Sequence, residues 1–441
     1  MVCLAAIKAS KPLREKKKLQ KQSGLKRSRW SAAAGLVFGK SKLGLIVNVP
    51  VKTEGIHVCT VGGTGSGKTS TILIPTLLHF KGNFFAVDIS GDISAAVPAP
   101  DSIIYAPCES NTNPYNIFGR IDSLPDVQAK CEQLEKLAFL ILPDQPGADG
   151  NSRFFTNGGR KILTASLIAF YFAGMDFPEI CRQIVSLSCI DLFRAIDAQK
   201  VEVASMLIKS FAGTNEINTS GCKQTADDAI KLFATNQNIQ TTIHRPQPGQ
   251  IAFTPDVLEN SSVFFQIPEN MLDVYAPLLN IIVSQTFTYF ANRPIRATPP
   301  ILLALDEFVS LEMDSKTIVG ALQRLRKRNI SILIVTQSIA ALDRVYGETT
   351  RKDMMSNFSY KVILHASDPD SQTDLAKLIG HKQEKSYTKT TGHGAPSFTE
   401  KEEQIWAIEP EKLSRLGDKL VLIHPTGYEL LKKAPFYKYK K

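Results

Sequence analysis

The sequence predicts an α/β protein with a mainly parallel central sheet and an inserted all-α region. Three observations carry that prediction. Short apolar runs alternate with helix-period segments in both the first hundred residues and the last two hundred. A glycine-rich stretch, TVGGTGSGKTSTILIP (residues 60–75), separates one such run from one such helix. No clear strand pattern interrupts residues 120–245.

Taken in order, residues 1–29 form a polar, basic lead expected to be a disordered arm. Residues 1–30 hold ten basic side chains against one acid, Glu15, so the remaining chain carries about one of the ten net positive charges. Such an arm is a solvated tail, a nucleic-acid contact or an anionic-membrane contact. From Trp30 to Val51, short apolar runs and glycines predict strands. GIHVCTVGG (55–63) reads as a buried strand entering a glycine turn, and TSTILIPTLLHF (69–80) as the helix that follows. NFFAVDISGD (83–92) and SIIYAPCE (102–109) read as two more strands. Apolar side chains at Leu124, Val127, Cys131, Leu134, Ala138 and Ile141 have amphipathic helical spacing, and three further helical segments continue to residue 245. SVFFQIP (262–268) restarts the sheet. ILLALDE (301–307), ISILIVTQ (330–337) and YKVILHA (360–366) read as buried strands alternating with helices. Residues 385–397 are turn-rich and polar, which predicts a surface loop, and 418–437 predict a terminal hairpin. The expected organisation is therefore a nucleotide-binding domain from residues 30–119 and 250–441, with an all-α domain at 120–249.

Seven cysteines at 3, 59, 108, 131, 181, 189 and 222 are odd in number and include no Cys-x-x-Cys. This predicts reduced thiols and argues against a disulfide frame or a zinc site. No segment reaches the ~20 apolar residues of a membrane span. The expectation is a soluble cytoplasmic chain, or one held at a membrane by something else.

The glycine-rich stretch satisfies Gly-x4-Gly-Lys-Ser/Thr in a strand-to-helix context. Gly62, Gly63, Thr64, Gly65, Ser66, Gly67, Lys68, Thr69 and Ser70 are its candidate nucleotide-binding residues. Glycines let the backbone curl so that its N–H groups face phosphate oxygens at a helix N-terminus. In that motif Lys68 bridges the β- and γ-phosphates of ATP, and Thr69 holds Mg²⁺. Asp306 ends an apolar run, as the second Mg²⁺ partner does. Glu307 beside it can orient and deprotonate an attacking water. Gln337 ends the next strand; it either touches the γ-phosphate or water, or is a hydrogen-bonded strand-end amide. LQRLRKRN (322–329) packs four cations into eight residues. They are a solvated basic face or supply an arginine acting on a neighbouring subunit's site, with Arg326 the first candidate and Arg324 the second. Asp88 and Asp92 either cap a helix or support catalysis.

Beyond these motifs, GGTGSGKT, FFAVDISGD, NPYNIF, IPENMLDVYAPLLNIIVSQ, the segment LLALDEF through LDRVYG, and PEKLSRLGDKLVLIHPTGYELLKKAPFY occur in an order that resembles the coupling-protein ATPases of conjugation and type IV secretion, the TraG/TraD-like family. TQSIAALDRVYG is the most specific part. The resemblance runs from about Trp30 to Tyr437 and is loose across 120–250. It implies a RecA-like nucleotide domain with an all-α domain, a homo-hexameric ring with ATP and Mg²⁺ at subunit interfaces, and DNA in a central channel. It also implies an ATP-hydrolysing motor that carries relaxase-bound single-stranded DNA, or double-stranded DNA, to the secretion channel components at the inner face of the membrane. By motif position, Lys68, Thr69, Asp306, Glu307 and Gln337 take the family's functional roles and Arg326 sits where the family has its trans-acting arginine. Two departures stand out. Ser90 and Asp92 replace the Lys and Glu of the family's Asp-x-Lys-Gly-Glu. The family's N-terminal transmembrane helices have no counterpart before RSRW (27–30), so the expectations are a separate membrane anchor, a truncated product, or the basic arm on anionic lipid. Rival readings are another ring ATPase, either a DNA translocase or a secretion-assembly ATPase, and a docking receptor that binds nucleotide with little hydrolysis.

Overall fold

The computed structural model describes residues 22–109, 112–144, 148–250, 252–390 and 397–439; for 385–390 and 397–401 it describes the backbone alone. The strands are β1 (Lys26–Ser28), β2 (Leu36–Lys40), β3 (Ile46–Val49), β4 (Val58–Val61), β5 (Asn83–Asp88), β6 (Ile103–Tyr105), β7 (Val263–Gln266), β8 (Ile301–Leu305), β9 (Ile330–Thr336), β10 (Tyr360–Ile363), β11 (His381–Thr390), β12 (Ser397–Trp406), β13 (Lys419–His424) and β14 (Gly427–Lys432). Twelve of them form one sheet in the order β1-β3-β2-β14-β13-β10-β4-β9-β8-β5-β7-β6. From β10 to β6 every pairing is parallel, and from β13 to β1 every pairing is antiparallel.

The central parallel strands are buried because helices cover both faces, while the edge strand β6 leaves Ile104 exposed. All five residues of β8 and all seven of β9 are buried, as expected for central strands without a solvated side. Successive side chains alternate between two cores. Phe84, Ala86, Leu302, Ala304, Leu333 and Val335 meet Ile72, Leu73, Ile74 and Leu77 of the helical segment after the glycine loop. Phe85, Val87, Leu303, Leu305, Ile332 and Ile334 share the other core with helix Leu272–Phe290 and the helical run.

Between β6 and β7 the described chain runs through eight helices, Gly119–Asp122 to Gln237–Thr242. Their starts are written in the sequence. Asp126, Asp149, Ser188, Asn215 and Asn236 each accept a backbone N–H in the first turn, and Asp176 with Glu179 forms a capping box. The central helix, Gly150–Phe172, buries Ile162, Leu163, Leu167 and Phe170 in a core shared with Ala226, Ile230 and Phe233. A bridge between Tyr115 and Phe253 brings the two ends of the run together. The amphipathic spacing from Leu124 holds for Cys131, Leu134 and Ala138. Val127 is exposed, because it opens the helix and overhangs the core.

Two expectations change. The basic lead contributes Lys26–Ser28 as strand β1 on β3, and Arg27 pairs with Glu429 at 2.7 Å. Arg27 and Arg29 thus belong to the folded body, while the rest of the expected arm, 1–21, lies outside the described residues. The loop expected at 385–397 falls within a hairpin of two ten-residue strands, β11 and β12. Its polar, β-branched sequence pairs with itself and shows no apolar period to reveal it. Residues 391–396, its tip, lie outside the described residues. The free cysteines Cys59, Cys131, Cys181 and Cys222 are buried. Cys3 lies outside the described residues. No described helix is long and apolar enough to cross a membrane.

Candidate nucleotide site

Parallel strands align their C-terminal ends, and that edge of the sheet gathers the predicted site. β4 runs into the glycine loop, with β9 and β8 next to it in order. Gly62 N–H donates to the Thr336 carbonyl at 3.0 Å, which ties the start of the loop to the end of β9. Gly65 and Gly67 have φ of 71° and 88°, the left-handed region where a side chain is strained. Lys68 is buried at the loop's end and Thr69 opens the following helical turn.

Five predicted side chains meet. Thr69 Oγ1 donates to Asp306 Oδ2 at 3.1 Å. Lys68 Nζ lies 3.9 Å from Glu307 Oε1. Gln337 Nε2 donates to Glu307 Oε2 at 3.3 Å. Glu307 itself has φ 45° and ψ 45°, an uncommon conformation for a non-glycine residue. Its N–H donates to Asp306 Oδ1 at 3.0 Å, so the turn orients both acids. Burial pushes the Asp306 carboxyl up to about 6. The nearby Glu307 charge adds to this, and the bonds from Glu307 N–H and Thr69, with the charge of Lys68, oppose it.

The cleft over this loop has a volume of about 610 Å³. Gly65 to Ser70, Asp92 and Glu307 form its polar lining, and Ile74, Ala95, Ala96, Phe436 and Tyr437 its apolar lining. A phosphate chain fits the polar part. Among the described residues, Ser66 Oγ is buried there without a hydrogen-bond partner, and the ion pair found for Lys68 is a long one with Glu307. The donor set also fits Mg²⁺. A Thr hydroxyl and one carboxylate are hard oxygen ligands, and Mg²⁺ takes its remaining ligands from water and phosphate. Among the described residues no cluster of three or more His, Cys, Asp and Glu offers an all-protein metal site.

Other predicted residues lie elsewhere or act structurally. Asp88 is buried and accepts from Ile93 N and Ser94 N at 3.2 and 2.9 Å, the cap reading. Asp92 lines the cleft and accepts from Ser90 Oγ at 2.9 Å. Arg326 stands before β9, at the sheet edge opposite the cleft, where its guanidinium lies 3.5 Å from Glu54. The length of β9, about 20 Å, separates it from the site of its own chain. Arg324 ends helix Ser315–Arg324 and donates to Gly320 O.

Sequence reading missed the contribution of the chain's last residues. Lys433 Nζ donates to Ser66 O at 2.9 Å, and Phe436 and Tyr437 line the cleft. The terminal KKAPFY was legible as a segment, but nothing local to it points to a loop 367 residues away.

The fold has counterparts among solved structures. The trigonal form of the bacterial conjugative coupling protein TrwBdeltaN70 with sulphate matches with a TM-score of 0.71 at 19% identity, over 93% of this chain and 94% of that chain. TrwB in complex with ADP and Mg²⁺ matches with a TM-score of 0.71 at 18% identity, over 95% and 91%. These establish a RecA-like α/β fold with a helical part. Protein VirD4 of Rhizobium radiobacter is 24% identical over 93% of this chain and 61% of its own length. Protein VirD4 of Rhizobium rhizogenes is 24% identical over 93% and 63%. The chain therefore spans about three fifths of the length of these curated relatives. Residues 6–441 match the family model for type IV secretory system conjugative DNA transfer, and the chain belongs to that family.

Proposed function

We propose that the chain is an ATP-hydrolysing coupling protein. It recruits DNA, as a relaxase-bound single strand or a nucleoprotein, and moves it to a type IV secretion channel. The convergence of Lys68, Thr69, Asp306, Glu307 and Gln337 at one sheet edge, with Thr69 and Asp306 joined at 3.1 Å, carries this reading. Membership of the conjugative DNA transfer family supports the cargo.

Each residue then has a task. The loop from Gly62 to Ser70 directs N–H groups at the phosphates. Lys68 exchanges its long 3.9 Å contact with Glu307 for the β- and γ-phosphates. Thr69 Oγ1 and Asp306 Oδ2 are the residues that would hold Mg²⁺, which would supply positive charge against the buried carboxylate and the phosphates. Glu307, released by Lys68 and still held by Gln337, orients a water and accepts its proton. Gln337 begins the link to helix Ile339–Tyr346 and so relays the state of the site. Arg326, on the opposite edge, can act only on a neighbouring subunit, which fits a homo-hexameric ring with nucleotide between subunits.

The test is ATP hydrolysis by the purified chain, with and without single-stranded DNA, at low and moderate salt. DNA stimulation that is weakened by salt and lost in Glu307→Gln supports a motor gripping phosphates. Nucleotide binding without turnover in every condition supports a docking receptor instead.

A further inference from the structure

The C-terminal segment after β14 is tied to the nucleotide loop at several points. Lys433 Nζ holds the Ser66 carbonyl at 2.9 Å. The short turn Phe436–Lys438 packs on the helical turn Thr69–Leu73 that opens from the loop. Tyr439 stacks on Trp30 with ring centres 4.1 Å apart and planes 1° apart, and Trp30 meets the edge of His79 at 4.6 Å. His79 ends the helix that begins behind the loop. The segment is thus fastened at both ends, and Phe436 and Tyr437 lie between the fastenings.

Those two rings face the cleft. Phe436 and Tyr437 meet edge to face at 5.7 Å, and Tyr437 is 59% exposed while Phe436 is half-buried. An aromatic ring at the mouth of a phosphate-binding cleft, anchored from both sides and uncovered on its open face, is suited to a flat π partner. The rest of the apolar lining is Ile74, Ala95 and Ala96, small enough to leave room beside the ring.

We infer that Tyr437, backed by Phe436, is the stacking platform for the nucleotide base. The inference rests on the nucleotide reading of the site and extends it to the base, whose recognition none of the loop motifs addresses. Stacking on a ring is tolerant of base identity, because every base has a π-face. The platform therefore adds affinity for ATP and GTP alike, and none for a bare phosphate chain.

The experiment is calorimetric binding of Mg²⁺ complexes of ATP, GTP and inorganic tripolyphosphate to the full chain, in wild type, Tyr437→Phe and Tyr437→Ala. For Tyr437→Ala, ATP and GTP are expected to weaken by roughly fivefold to a hundredfold, with tripolyphosphate unchanged. Tyr437→Phe is expected to keep wild-type affinity for all three. Equal weakening for tripolyphosphate and ATP overturns the inference, since Tyr437 would then act by holding the loop. Unchanged ATP binding in Tyr437→Ala overturns it as well. If wild type binds tripolyphosphate and ATP equally, the phosphate site stands and the base platform falls. If wild type binds neither, the nucleotide reading itself fails.

Discussion

The two ends of the parallel strands hold similar residue types and use them differently. At the C-terminal end, Lys68, Glu307, Gln337 and Ser66 make long contacts or none: 3.9 Å for Lys68 to Glu307, 3.3 Å for Gln337 to Glu307, and no partner for Ser66 Oγ. At the N-terminal end, most polar groups close on the protein itself, although His57 Nε2 and Asn329 Oδ1 are buried without a partner there. Arg293 donates to both oxygens of Glu259 at 2.8 and 2.6 Å, and to the carbonyls of Arg328 and Pro299. Asn329 donates to the Lys52 and Ala297 carbonyls, and His57 Nδ1 accepts from Ile332 N. One end leaves hydrogen-bonding capacity available to a ligand. The other uses it to hold β4, β8 and β9 in register. The same sheet can therefore be rigid and reactive, because the two requirements fall at opposite ends of each strand.

Substitutions at the two ends should separate these roles. The largest expected effect is at the open end. Glu307→Gln keeps the amide contact with Gln337 but removes the base, so turnover falls by roughly 10² to 10⁴-fold. Nucleotide binding and the thermal midpoint stay near wild type. A midpoint loss of several degrees would mean that this acid also holds the fold.

The next effect lies at the closed end. A Cβ on Gly55 would stand 1.8 Å from the Ile330 carbonyl oxygen and 2.3 Å from its carbon. Backbone cannot yield as a flexible side chain can, so Gly55→Ala should cost at least about 3 kcal/mol. The apparent unfolding midpoint then drops by roughly 3–5 °C, with turnover per folded molecule retained at low temperature. An unchanged midpoint would break the contrast between the ends.

A smaller, pH-dependent effect belongs to His57. Burial pushes its imidazole down to about 4, so the folded state holds it neutral where the unfolded chain, near 6.5, begins to protonate. Its contribution is complete above pH 6.5 and is lost as pH falls towards 4, roughly 3 kcal/mol in all. His57→Asn keeps an acceptor for Ile332 N and removes the titration. Denaturation followed from pH 7 to 4 should show a flatter slope in the variant. Equal slopes would assign the acid sensitivity to other groups.

The smallest effect on the fold is at Arg326. Its contact with Glu54 is exposed on both sides, and such pairs contribute about 0–1 kcal/mol. Arg326→Ala should leave stability and nucleotide binding unchanged. Turnover should fall, by up to about 10³-fold, only at concentrations where protomers assemble. An equal loss at all concentrations would exclude action across a subunit interface.

Much of this was legible along the chain. The glycine loop is a local signal, since Gly65 and Gly67 need positive φ and Lys68 and Thr69 follow them directly. The apolar runs of β8 and β9 showed that these strands are covered on both faces, and capping residues marked most helix starts. Local signals failed where packing decides. The strand in the basic lead is three residues long and exists because β3 offers an edge. The β11–β12 hairpin is polar, and among its described side chains none is buried to impose a period.

The sequence by itself determined the phosphate loop, the acids and amide at strand ends, and the alternation of buried strands with helices. These depend on neighbours within a few residues. Tertiary structure alone decided the strand order that joins Thr69 to Asp306 across 237 residues and Lys433 to Ser66 across 367. It also sent Arg326 to the opposite edge from the loop. Strand order is set by which apolar faces the helices can cover and by the crossovers between parallel strands, and those are properties of the whole sheet.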